Sequence, residues 1–199
     1  MISTEPQTRP SLLARLKKSP PDEGAWSEFD PIYRQLVIRF VRRQGFSESD
    51  AEDVAAQTLV EMVADMPRFE YRPERCRFRS WLFSRARSRM LDACRRSDTR
   101  QKVLVELGTD AEGANPLQGA WDAEWERFVV EAAIQTLMTS RHLDPRIAQV
   151  LHSLYARQMS AETTAKLLGL KRQDVYRIRS RWHAAVGESV ASTRQSLGE

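Results

Sequence analysis

Apolar residues in this chain recur at intervals of three and four, and alternating apolar-polar runs are essentially missing. The first spacing keeps one face together on a helix, whereas a half-buried strand needs a period of two. An all-α fold is therefore expected. Trp26, Phe29, Tyr33, Leu36, Val37, Phe40 and Val41 define a first helical face, closed at Gly45. Ser47 offers an N-cap to a second helix with Glu48, Asp50, Glu52 and Asp53 in its first turns and Val54, Ala55, Leu59, Met62 and Met66 on its apolar face. A third, rich in arginine, starts near Phe78 and carries Trp81, Leu82, Ala86, Met90 and Ala93.

Between about Ser97 and Gly119 the periodicity fades and glycines accumulate, apart from a short helix expected at Lys102 to Leu107. We read residues 98–120 as a flexible linker, able to span at most about 80 Å if extended. Beyond it, Trp121, Trp125, Phe128, Val129, Ala132 and Leu137 form a new stripe. Asp144-Pro145 reads as a helix start, Ser160 as a cap, and Lys171 to about Val186 as a last long helix. The expected organisation is an N-terminal segment 1–24, a helical bundle 25–97, the linker 98–120, a second bundle 121–190 and a tail 191–199.

The charge is organised in blocks. Ser47–Asp65 has six acids and no base, while Arg72–Lys102 has eleven bases against three acids. Val105–Glu131 is acidic again, and Lys166–Arg181 carries six bases against Asp174. Two separated basic blocks suit two contacts with a polyanion, and the acidic blocks call for another kind of partner. No apolar run is long enough to span a membrane, and Met1 to Pro10 do not resemble a secretory signal, so a cytoplasmic location is expected. Cys76 and Cys94 form no CxxC, and the three histidines form no HExxH, so neither a metal site nor a cofactor is expected. No phosphate-binding loop, dinucleotide fingerprint or nucleophile elbow occurs, so the chain is not expected to be an enzyme.

Ser160 to Trp182 fits a helix-turn-helix spacing, with a small residue at Ala165, glycine at 169 for the turn and Val175 facing the helix pair. Arg172, Gln173, Tyr176, Arg177, Ser180 and Arg181 then point outward, donors suited to phosphates and base edges. The same spacing also allows an ordinary αα-hairpin with a solvated basic face.

Three stretches resemble the sigma-70 family of bacterial sigma factors, in the compact extracytoplasmic-function group. Asp50 to Val60, DAEDVAAQTLV, is similar to that family's core-binding helix; Phe78 to Asp92, FRSWLFSRARSRMLD, to its promoter-melting helix; and Val175 to Arg181, VYRIRSR, to the last helix of a planctomycete-like subtype. The resemblance extends from about Ser11 to Val190, weakest in the linker. Lys171 stands where the family often has a capping Ser or Thr.

The resemblance implies a subunit that binds core RNA polymerase and directs promoter recognition and melting. It implies that Asp50, Glu52, Asp53, Gln57 and Glu61 dock on the β′ clamp helices, with Leu59 and Met62 as apolar anchors. Phe69, Tyr71, Arg75 and Arg77 would meet the −10 element, the loop trapping a flipped base, while Arg85, Arg87, Ser88 and Arg89 hold phosphates. Phe78, Trp81 and Leu82 are expected in the core. Lys171, Arg172, Gln173, Tyr176, Arg177, Ser180 and Arg181 would meet the −35 element, with the β flap as a further polymerase contact. An anti-sigma protein is left open as another partner. The competing readings are a helix-turn-helix regulator that never joins the polymerase and a helical RNA-binding or partner-binding adaptor.

Overall fold

The computed structural model describes residues 14–18, 22–69, 78–95 and 116–197. Among them the regular structure is entirely helical: α1 (Glu23–Arg43), α2 (Glu48–Asp65), a 3-10 turn (Met66–Arg68), α3 (Phe78–Arg95), α4 (Pro116–Ser140), α5 (Pro145–Leu151), a π-helical turn (His152–Ala156), α6 (Ala161–Leu168) and α7 (Arg172–Ser196). None of these helices is long and apolar enough to cross a membrane. The helix expected at Lys102 to Leu107 lies outside the described residues. The chain divides into two compact units between Trp125 and Glu126, inside α4.

Local chemistry sets the ends of the helices. Asp22 caps α1 by accepting from the Ala25 N–H at 2.9 Å, and Arg15 Nε lies 3.1 Å from the same carboxylate. The Arg15 hydrogen bond, and then that of Ala25, hold the Asp22 carboxyl below the ordinary carboxylate range. Gly45 takes φ +85° just past the end of α1, where a Cβ would be strained. The side chains of Ser47, Asp144 and Ser160 accept from the amides of Asp50, Arg146 and Thr163, so α2, α5 and α6 all start on side-chain caps.

In the first unit α2 packs against both α1 and α3. Phe29 stacks on Tyr33 at 4.3 Å, and Tyr33 meets Phe78 at the start of α3 at 5.2 Å. The buried Thr58 hydroxyl donates to the Val54 carbonyl at 2.7 Å, which satisfies it within its own helix. The unit also includes Leu117, Trp121 and Trp125 of α4, all buried. This differs from the expectation that the tryptophans open the stripe of a second bundle. Trp121 packs edge-on against Phe40 at 5.1 Å and lies 5.7 Å from Phe83, while Trp125 lies 6.5 Å from Tyr33. A helical period shows that a face is buried, not which core receives it.

The second unit has two adjoining cores. Ile134, Leu137, Leu143, Leu151, Ala185 and Val186 form one; Val150, Ala161, Ala165 and Val175 form the other, and Ile178 packs against both. α7 continues through Ser196, where a tail was expected from residue 191. Val190 packs into the first of these cores, Ser189 Oγ donates to the Ala133 carbonyl at 2.9 Å, and Arg194 pairs with Glu126. These contacts give the last turns of α7 a buried side.

Candidate polymerase and nucleic-acid interface

α2 presents two different surfaces. Its inner side buries Ala51, Val54, Ala55, Thr58, Leu59 and Met62. Leu59 is 4 % exposed and Met62 0 %, so neither is available as an apolar anchor for a partner. Val60 and Val63 are, at 70 % and 40 % exposed. Asp53, Gln57 and Val60 follow one another at four and three residues, so acid, amide and valine line one outward stripe. Glu52 and Asp53 are exposed, while Gln57 and Asp50 are half-buried; Asp50 also accepts from the Ser47 hydroxyl. The two valines were missed because they fall between the periodic apolar positions.

Glu61 lies on the other flank, toward α3. Arg89 Nη2 stands 2.6 Å from its carboxylate, and Arg89 Nη1 lies 3.1 Å from Asp92. One turn further along α2, Asp65 receives Arg85 at 2.8 Å. Two of the arginines expected on the −10 element thus sit beside acids of α2. Arg87 is half-buried and Ser88 exposed.

Phe69 follows the 3-10 turn and is 7 % exposed, its ring 4.3 Å from Trp81 in a stacked arrangement and 6.2 Å from Phe78. Its neighbours in the expected −10 loop, Tyr71, Arg75 and Arg77, lie outside the described residues, as does Cys76. Phe78 and Leu82 are buried and Trp81 half-buried, in keeping with the core role expected of them. Cys94 is a buried free thiol.

α6 and α7 are joined through Gly169 in the left-handed region, φ +63° and ψ +34°. Ala165 and Val175 are buried where the two helices meet. Lys171, Arg172, Gln173, Tyr176, Arg177, Ser180 and Arg181 are all exposed. Lys171 occupies the N-cap of α7 without a side-chain hydrogen bond to the helix. Arg172 lies over the Tyr176 ring at 5.3 Å and donates to its hydroxyl at 3.3 Å, a bond that raises the Arg172 pKa further. Arg177 pairs with Asp174. Beside this face a cavity of about 330 Å³ is lined by Ile147, Asp174, Arg177, Ile178, Arg181 and Trp182.

Sequence reasoning also missed Glu124. Its side chain is wholly buried between Arg39 Nε at 3.2 Å and Arg43 Nε at 2.9 Å, both on α1. The only trace in the sequence is its place in an acidic block.

Residues 32–100 match the family model for Sigma-70 region 2, which spans the second half of α1, all of α2 and all of α3. Proteins of that family are non-enzymatic transcription initiation factors that act with core RNA polymerase at promoter DNA. The matched segment is thus similar to region 2 of sigma-70 family factors. No curated protein and no solved structure matches the chain.

Proposed function

We propose that this chain is a dissociable sigma factor of the extracytoplasmic-function group, planctomycete-like subtype, which gives core RNA polymerase its promoter specificity. The observation that carries the reading is that the region 2 match encloses a packed helix pair, α2 with an exposed acidic and apolar stripe and α3 with Arg85 and Arg89 beside α2 acids. In this reading the stripe of Glu52, Asp53, Gln57, Val60 and Val63 docks on the β′ clamp helices, acids steering and valines anchoring. Arg87 and Ser88, with Tyr71, Arg75 and Arg77, follow the −10 element, and Arg85 and Arg89 join them with their α2 acids alongside.

The second unit would read the −35 element through Arg172, Gln173, Tyr176 and Arg177. Support comes from their exposure on one helix face and from the buried Ala165, turning Gly169 and buried Val175 behind it. The β flap is the further polymerase contact proposed for this unit.

Size-exclusion chromatography of the chain with core RNA polymerase tests the reading against that of a free-standing DNA-binding regulator. Co-elution that Asp53→Arg reduces is expected. A chain that elutes apart from the polymerase while binding duplex DNA would favour the regulator.

A further inference from the structure

Residues 117–125 of α4 meet the first unit with an apolar stripe in the middle and an acid on each side. Trp121 and Trp125 are both fully buried, Trp121 against Phe40 of α1 and Phe83 of α3. On a helix, residues one and three positions after Trp121 fall on opposite sides of that stripe. Accordingly Glu124 sits between Arg39 and Arg43 of α1, while Asp122 pairs with Arg79 in the first turn of α3. The Arg79 guanidinium also lies 5.7 Å from the Trp125 ring centre. Two carboxylates therefore hold three guanidiniums drawn from two helices.

A guanidinium that pairs with a carboxylate can pair in the same way, by charge, with a phosphodiester. Packing alone gives no reason for charge at position 124, because burying a carboxylate carries a desolvation penalty that a neutral side chain of the same shape avoids. We propose that Arg39, Arg43 and Arg79 form a contact of the first unit with a nucleic-acid backbone, and that residues 117–125 close it in the free chain, Asp122 and Glu124 occupying the phosphate positions. Opening the clasp exposes two indoles together with Phe40 and Phe83, so the closed state dominates. The affinity of the face is then reduced in proportion to the fraction of molecules that are open. This inference rests on the reading that the first unit meets promoter DNA, and gives that contact a control.

The test is fluorescence anisotropy of the full chain with mixed-sequence single-stranded and duplex oligonucleotides over a range of salt concentrations. Asp122→Asn with Glu124→Gln should bind single strands about tenfold more tightly, with a salt slope steeper by about 2, since each released guanidinium adds about 0.7. Adding Arg39→Gln and Arg43→Gln should remove most of that gain. Unchanged affinity and slope in a double variant that still unfolds cooperatively would overturn the proposal. Should the double variant not fold, Asp122→Asn alone carries the test, because that carboxylate is partly exposed. It should steepen the slope by about 0.7 through Arg79, and no change overturns the proposal. A gain in affinity without transcription from core polymerase would overturn the sigma reading and leave the clasp standing; transcription without the gain does the reverse.

Discussion

Glu61 on α2 and Arg89 on α3 form an ion pair with 2.6 Å between Oε1 and Nη2, each side chain 28 % exposed. The pair joins a residue expected to face the polymerase to one expected to face DNA. It makes Glu61 a poor reporter of docking, because reversing its charge sets two cations against each other inside the unit. Asp53 and Val60 are cleaner positions, exposed and without a packing role.

Asp53→Arg should weaken binding to core polymerase by about 1 kcal/mol or more through like-charge juxtaposition at the interface, with the melting temperature unchanged. Val60→Asp should weaken it by about 2 kcal/mol through lost apolar burial. Glu61→Arg should instead lower the melting temperature as well as the affinity. Titration of fluorescently labelled chain with core enzyme, alongside thermal unfolding, checks all three. A variant at Asp53 with wild-type affinity would move the docking face elsewhere.

Phe69 is stacked on Trp81 and nearly enclosed, so its ring is structural. Phe69→Ala should lower the unfolding free energy by about 3 kcal/mol, read from denaturant titration, and should reduce closed and open complexes together. Tyr71→Ala should spare stability and reduce promoter opening, seen as lost permanganate reactivity on duplex promoters that returns on pre-melted ones. Selective loss of opening in the Phe69 variant, with stability intact, would contradict its assignment to the core.

Arg172 and Gln173 open α7, whereas Arg181 lies more than two turns further along. Arg172→Ala or Gln173→Ala should change the preferred −35 sequence by about 1–3 kcal/mol at one position. Arg181→Ala should weaken all sequences alike and reduce the salt slope by about one unit. Selection from randomised duplexes at two salt concentrations separates these outcomes. Identical uniform losses would mean that Arg172 reads no base.

The features of the fold legible in the sequence are local ones. Ser47, Asp144 and Ser160 cap helices because a short hydroxyl or carboxylate reaches an amide two or three residues on, and Gly169 turns because only its backbone takes that φ without strain. The features not legible depend on distant partners. The period of Trp121 and Trp125 is the same whichever core receives them, and nothing in α2 alone announces that Glu61 will meet Arg89. Phe69 stands at the edge of a proline-bracketed loop, where no periodicity marks it as core. Among the candidate site residues, the exposed row on α7 follows from helical spacing, whereas the exposed valines of α2 required the packing of its inner face.

Asp22 gives the first unit a pH dependence of known sign. Its folded-state pKa is depressed by Arg15 and by the Ala25 amide, so the stabilisation is present above the unfolded-state value near 3.9 and is lost as pH falls through the lower folded-state value. Asp22→Asn keeps a capping oxygen but loses the ion pair. Its stability relative to wild type should be lower at neutral pH, with the difference shrinking below about pH 4. Chemical denaturation across that range measures it, and a gap that does not narrow in acid would contradict the role given to the Arg15 pair.

Most direct of all is promoter-dependent transcription by core RNA polymerase supplied with the purified chain and a library of promoter fragments. Discrete transcripts that require the chain, start at a common spacing from shared −35 and −10 sequences, and fall at limiting chain concentration with Asp53→Arg are the predicted result. Polymerase that gains no new start sites from the chain, or gains them equally with Asp53→Arg, would contradict its assignment as a sigma factor docking through α2.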